Sequence, residues 1–158
     1  MCQELVAAEK EYSAQHKEYA RKIFSYEGQR DGLYWKAAAG EPQSPIGPLV
    51  AAAVPESTQE RKATSATPYR GYYFRILTGE KKESQEKSYV RNGKMTEGFA
   101  FVAYPADYRS SGVMTFIVNQ DGVVYEKDMG PKTRTTAVKS GRHRRSHSPI
   151  PHNPATLN

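Results

Sequence analysis

Apolar and polar positions alternate most clearly between Tyr69 and Gly130. In Gly71–Thr78 the set Tyr72, Phe74 and Ile76 alternates with Tyr73, Arg75 and Leu77, the period of two that a β-strand requires. Phe99–Tyr104 repeats the pattern and is stopped by Pro105. Val113–Asn119 is apolar on both faces, which predicts a central strand. Asp121-Gly122 then turns the chain into a fourth strand, Val123–Lys127, and Asn92-Gly93 marks a further tight turn inside Tyr89–Met95. Between the first two strands Gly79 to Ser88 is dense in charge and predicts a solvated loop. The stretch 69–130 therefore predicts an antiparallel meander of three to four strands.

Upstream the period changes to that of a helix. Leu5, Ala8, Tyr12, Tyr19 and Ile23 recur at three- and four-residue steps, widened by Val6, Ala20 and Phe24. The spacing predicts one long helix over about 2–25, with Gly28 as its stop. A single wide apolar stripe calls for one partner surface, the sheet. The connection 29–67 is Pro-rich. Pro42, Pro45, Pro48 and Pro55 exclude a continuous helix, although Leu49 to Val54 has room for one short turn. Trp35, Ile46, Leu49 and Val50 are the expected anchors of this loop, and Ser57 to Thr67 its mobile part. The fold class is α+β: a long N-terminal helix on an antiparallel meander, forming one domain over residues 1–130.

Length and charge refine this picture. A chain of 158 residues is one domain, large enough to bury a self-sufficient core. Beyond Asp128 there is no acidic residue, while Lys132, Arg134, Lys139, Arg142, Arg144 and Arg145 supply the whole net charge of +6. The body is thus near neutral, and residues 131–158 read as a basic disordered tail. Cys2 is the single cysteine and forms no internal disulfide. No apolar run reaches the length of about 18 residues that spans a bilayer, and no charged-then-apolar leader follows Met1.

Candidate chemistry is sparse. His16 lies beside the helix stripe, and His143, His147 and His152 lie in the tail, so no histidine joins a carboxylate and a nucleophile at a strand end. Asn119, Asp121 and Gly122 have the start of a calcium loop without its terminal acidic ligand, and a hairpin turn accounts for them. The sequence therefore predicts no catalytic, cofactor or metal residue. The Arg142, Arg144 and Arg145 cluster offers salt-sensitive, sequence-blind contacts to nucleic acid or an anionic surface. It lacks interleaved aromatics, and no nucleic acid is expected. The sharper candidate is the second face of the first strand, where Tyr73, Arg75 and Leu77 form a surface for another protein or domain.

The segments GYYFRILT, YVRNGKM, GFAFVAYPADY and GVMTFIVNQDGVVYEKDMGP, with RDGLYW and GEPQSPIGPLV upstream, closely resemble the C-terminal region of the bacterial family DUF2950. The likeness covers roughly Cys2 to Pro131, and the tail departs from it. Members look like secreted or envelope-associated proteins that carry a leader and a further segment before this region. The resemblance implies a periplasmic or envelope location and a missing N-terminal half, and it brings no activity, cofactor or site residue. The order of helix, loop and meander is also similar to the globular head of type IV pilins. The expected role is a non-catalytic envelope domain, structural or interacting with an unknown protein or the missing N-terminal domain. The alternatives are a hydrolase-like enzyme completed by that missing half, and binding of nucleic acid or an anionic surface by the tail.

Overall fold

The structure, a computed structural model, describes residues 2–55, 66–82, 85–139, 143–144 and 148–149. Its helices are α1 (Cys2–His16), α2 (Pro48–Ala52) and α3 (Thr133–Lys139). Its strands are β1 (Tyr72–Leu77), β2 (Gly79–Lys82), β3 (Gln85–Ser88), β4 (Val90–Arg91), β5 (Lys94–Met95), β6 (Ala100–Pro105), β7 (Met114–Asn119), β8 (Val124–Asp128), β9 (His143–Arg144) and β10 (Ser148–Pro149). The α+β class holds. The main sheet has the order β1-β6-β7-β8, antiparallel throughout, with the two residues of β10 added at its edge.

The helix is shorter than the spacing predicts. Leu5, Val6, Ala8 and Tyr12 are buried as expected, but α1 ends at His16 rather than near Ser25. Lys17 takes a left-handed φ of 62° and its N–H closes the last turn on the Ser13 carbonyl at 2.9 Å. The His16 ring stacks on Tyr12 with centroids 4.0 Å apart, and its Nδ1 donates to the Tyr12 carbonyl at 3.0 Å. The chain then doubles back. The Glu9 carboxylate accepts the Ala20 N–H at 2.8 Å, and the Tyr19 N–H donates to the Met95 carbonyl at 2.8 Å. Ala20 and Ile23 are fully buried outside any helix. Burying one Ile side chain is worth about 1.5–3 kcal/mol, whereas helix propensities differ by tenths, so tertiary packing decides the conformation. Gly28, expected to stop a helix, instead provides a positive φ of 74° in the loop that follows.

The alternation of 69–130 folds as predicted. Asn92 and Gly93 have φ of 50° and 77°, as a two-residue hairpin turn between β4 and β5 requires. The segment expected as a charged loop is instead the β2–β3 hairpin. Its strands set Glu80 opposite Lys87 and Lys81 opposite Glu86, the latter pair 3.3 Å apart. A strand exposed along its whole length, as β3 is, accommodates charge, and opposite charges across a ladder contribute about 0.2–1 kcal/mol per pair. β7 lies inside the sheet as its two apolar faces predict, yet β6 is the strand buried at every position.

That burial has a simple origin: both faces of the sheet are covered. The register puts Tyr72, Phe74, Ile76, Phe101, Ala103, Phe116, Val118 and Val124 on one face, against α1. Gln3 Nε2 donates to the Gly122 carbonyl at 2.8 Å and ties α1 to the β7–β8 turn. The other face carries Tyr73, Arg75, Leu77, Val102, Tyr104, Thr115 and Ile117 and receives α3. The disordered tail predicted from residue 131 thus meets a helix over Thr133–Lys139, with Thr133 and Ala137 buried. The rest of that expectation falls on 140–142, 145–147 and 150–158, outside the described residues.

In the Pro-rich connection, Ile46 is buried and Pro48 opens α2 at its first turn, where a missing N–H costs nothing. Leu49, an expected anchor, is 70% exposed, and Leu33 takes that part with no exposure at all. The expected mobile run falls outside the described residues except for 66–67, where the Thr67 N–H bonds the Ala52 carbonyl at 2.9 Å.

Candidate functional site

Alternation along β1 puts Tyr73, Arg75 and Leu77 on one face, and the structure shows what lies over them. Arg75 Nη1 donates to the Ala137 carbonyl of α3 at 3.4 Å. The Arg134 guanidinium sits 5.5 Å from the Tyr73 ring, a cation–π contact, and Tyr73 packs on Tyr104 with centroids 5.9 Å apart. Leu77 is only 2% exposed. Two of the three residues meet this chain's own α3, and the third is core.

Beneath α3 the face contains two hydroxyls that sequence reading missed. Tyr104 and Thr115 are fully buried, and neither Tyr104 OH nor Thr115 Oγ1 has a hydrogen-bond partner among the described residues. Burial pushes the Tyr104 phenol up, opposed by the nearby Arg134 and Arg75 charges. On the α1 side, Glu9 is also fully buried, and its Oε1 has no partner among the described residues. Burial raises its carboxyl from the ordinary 4.5 to about 8, against the lowering effect of the Ala20 N–H. A carboxylate within the stripe, four residues after Leu5 and three before Tyr12, was the available signal for it.

A cavity of about 350 Å³ opens beside the first turn of α1. Its lining is mostly apolar: Tyr72, Phe74, Ala103, Phe116 and Val124 from the sheet, Cys2 from α1, and Tyr69 and Arg70. Arg70 and Gly71 take φ of 50° and 83° in a two-residue turn closed by mutual Tyr69–Tyr72 backbone bonds of 3.0 Å. The turn leaves Arg70 exposed, its guanidinium 5.5 Å from the Tyr69 ring. Burial raises the Cys2 thiol above its ordinary value, keeping it neutral.

A second hollow, of about 490 Å³, is built by the loop after α1. Phe24, Tyr26, Tyr34 and Trp35 line it together with Glu27, Gln29, Arg30 and Glu41. The Tyr34 N–H bonds the Ile23 carbonyl at 2.7 Å, and the Ser25 N–H bonds the Tyr34 carbonyl at 2.8 Å. Gly32 is required there, because a Cβ would meet the Ile23–Ser25 backbone at 2.9 Å. The aromatic and polar run YEGQRDGLYW carried the signal for this hollow.

The remaining sequence candidates stand apart from both. His16 is occupied at the end of α1, and the side chains of His143, His147 and His152 lie outside the described residues. Asn119 Oδ1 accepts the N–H groups of Asp121 and Val123 at 3.2 and 3.1 Å, and Gly122 has a φ of 76°, which is hairpin-turn geometry. Among the described residues no three His, Cys, Asp or Glu side chains gather as a metal site, and no helix is long and apolar enough to cross a membrane. The model of the family described as protein of unknown function (DUF2950) matches residues 1–147, so the likeness extends past Pro131, where the sequence reading had it end. No curated protein and no solved structure matches the chain.

Proposed function

Because the chain belongs to the DUF2950 family, whose function is unknown, we propose from its geometry that it is a non-catalytic ligand-binding domain of the bacterial cell envelope. The observation that carries this reading is the cavity of about 350 Å³ between α1 and the sheet. Ligand sites are typically apolar hollows of roughly 300–1,000 Å³ with a few polar groups that fix orientation. Here the walls are aromatic and aliphatic, the Cys2 thiol is neutral, and the exposed Arg70 is the ionised side chain among the described lining residues. That combination suits a small amphipathic molecule with an apolar body inside and an acidic head on Arg70. The envelope location rests on the likeness of family members to secreted and envelope-associated proteins.

The test is displacement of an anilinonaphthalene sulfonate dye by decanoate, in the chain as given and in two variants. Ala103→Leu fills the cavity floor and is expected to abolish both dye and decanoate binding. Arg70→Ala removes the charge from the lining and is expected to weaken decanoate about tenfold, or 1.4 kcal/mol. Equal binding by the chain and by Ala103→Leu would refute the reading.

A further inference from the structure

The hollow of the 24–41 loop carries aromatic rings that the core does not use. Ile23 and Leu33 are fully buried, whereas Tyr26, three residues after Ile23, is 57% exposed. Tyr26 is fixed on several sides. Its N–H donates to Asp31 Oδ1 at 3.1 Å, its carbonyl accepts the Gln29 N–H at 2.9 Å, and Lys22 Nζ lies 3.4 Å from its ring centroid. Lys22 is itself paired with Asp31.

Trp35 stands in the same hollow, its Nε1 donating to the Pro42 carbonyl at 3.1 Å, so the indole is held in one orientation. Arg30 lies 5.7 Å from that ring and pairs with Glu41 at 3.6 Å. The lining thus offers aromatic faces beside a planar donor, a carboxylate acceptor and the Gln29 amide, which serves as both. Its charges balance, with Glu27 and Glu41 against Arg30 and Lys36.

We propose that this hollow is a binding site for a neutral saccharide chain. A pyranose ring presents one face of polarised C–H groups and a rim of hydroxyls. The C–H face is attracted to the negative face of an aromatic ring, and each hydroxyl needs a donor and an acceptor together. Lys22 lies over one face of Tyr26 and Arg30 over Trp35, so the opposite faces of these rings are the ones offered, and Arg30, Glu41 and Gln29 supply the rim. Balanced charge disfavours a nucleic acid or an anionic membrane, both of which require a cationic excess. Anchored rings lower the entropy lost on binding, the condition under which a weakly polar ligand is held. This site is separate from the cavity at Arg70, and its ligand is of another class.

Trp35 is the single tryptophan of the chain, so its emission reports on the site directly. The experiment titrates the full chain with cellotetraose and with tetra-N-acetylchitotetraose, up to about 10 mM of each. The expected result is a saturating change in Trp35 emission with at least one of them. It should persist in about 0.5 M salt, because no ion pair is formed with the ligand. Tyr26→Ala, at an exposed position, should keep the thermal midpoint while weakening the response about tenfold. Unchanged emission with both saccharides would overturn the proposal. So would a response lost in salt, or one equally strong in a folded Tyr26→Ala chain.

Discussion

The two faces of the sheet are covered by helices that pack on them differently. Under α1 the contacts are aliphatic and aromatic: Leu5, Val6 and Ala8 of the helix join Phe74, Phe101 and Val118 in one apolar cluster. The α3 face shares in that cluster through Leu77, Val102, Ile117 and Ala137 and adds polar and cationic contacts: Arg75 on a backbone carbonyl, Arg134 over Tyr73, and the hydroxyls of Tyr104 and Thr115, which have no hydrogen-bond partner among the described residues. Removal of apolar area from water is worth about 25 cal/mol per Å², while a buried hydroxyl without a partner costs roughly 1–3 kcal/mol. The α1 face is therefore the main store of stability, and on the α3 face apolar burial is offset in part by the two hydroxyls. α3 has seven residues, too few for a helix to stand alone in water, so the sheet holds it in shape.

The largest test of this asymmetry is Phe101→Ala. Phe101 is 1% exposed and packs edge-on against Phe99 with centroids 5.9 Å apart. Its truncation is expected to cost about 3–5 kcal/mol by urea unfolding. A loss below about 1 kcal/mol would remove the α1 face from its role as the main store of stability.

Glu9 is the exception on the apolar side and sharpens the comparison through pH. Its folded pKa of about 8 lies above the ordinary 4.5 because burial disfavours the charged form. Between those values the folded chain holds a proton that the unfolded chain has released, so stability falls as pH rises through the window. Below it both states are protonated and the contribution is complete. Glu9→Gln keeps a neutral group of the same shape and should flatten the profile. The variant is expected to match the parent near the bottom of the window and to exceed it above the top by on the order of 3–5 kcal/mol. Unfolding midpoints at either end of the window measure this, and a parent profile that stays level would mean Glu9 is charged in both states.

On the α3 side the effects are smaller. Arg134→Ala removes the cation over Tyr73 and is expected to cost about 0.5–1 kcal/mol, the range of a partly exposed cation–π contact. The same variant should loosen α3 and speed amide exchange over Thr133–Lys139, because the seven-residue helix has few other ties. Unchanged exchange there would show that the Arg75 contact and the burial of Thr133 and Ala137 hold the helix without Arg134.

What was legible in the sequence follows from how local each cause is. The β1, β6, β7 and β8 alternation and the Asn92-Gly93 and Asp121-Gly122 turns depend on neighbours a few residues away, and they fold as read. The end of α1 does not. Tyr19, Ala20 and Ile23 keep helical spacing, but distant contacts set their place outside the helix: burial of Ala20 and Ile23 in the core, and the Ala20 N–H on the Glu9 carboxyl eleven residues earlier. The same distance effect hid α3, whose Thr-rich sequence shows no apolar stripe and is placed by Tyr73 and Arg75, some sixty residues earlier. Tyr73 and Arg75 were legible as a face, while α3 as its occupant was not. Both hollows assemble from separate segments or backfolded loops, so only their residue types were on view. The likeness to pilin heads rested on the order of a long helix, a loop and a meander with an Asp-Gly turn; of these the meander and turn are present, while α1 stops at His16.

The smallest effect is the most pointed. Thr115 is fully buried on β7, on the sheet face that receives α3, and its Oγ1 has no partner among the described residues. Thr115→Val replaces that hydroxyl with a methyl of nearly the same volume on a strand that favours β-branched residues. Elsewhere in a core this exchange costs stability, because the hydroxyl loses a hydrogen bond. Here there is none to lose, and the desolvation penalty disappears with the oxygen, so the variant should be neutral or more stable by up to about 1 kcal/mol. Apart from Glu9 the side chains under α1 are apolar, so a matching change among them opens a void or overfills it. A loss above about 1 kcal/mol in Thr115→Val would mean that the hydroxyl is satisfied in solution, and the two faces would then differ in composition but not in the quality of their packing.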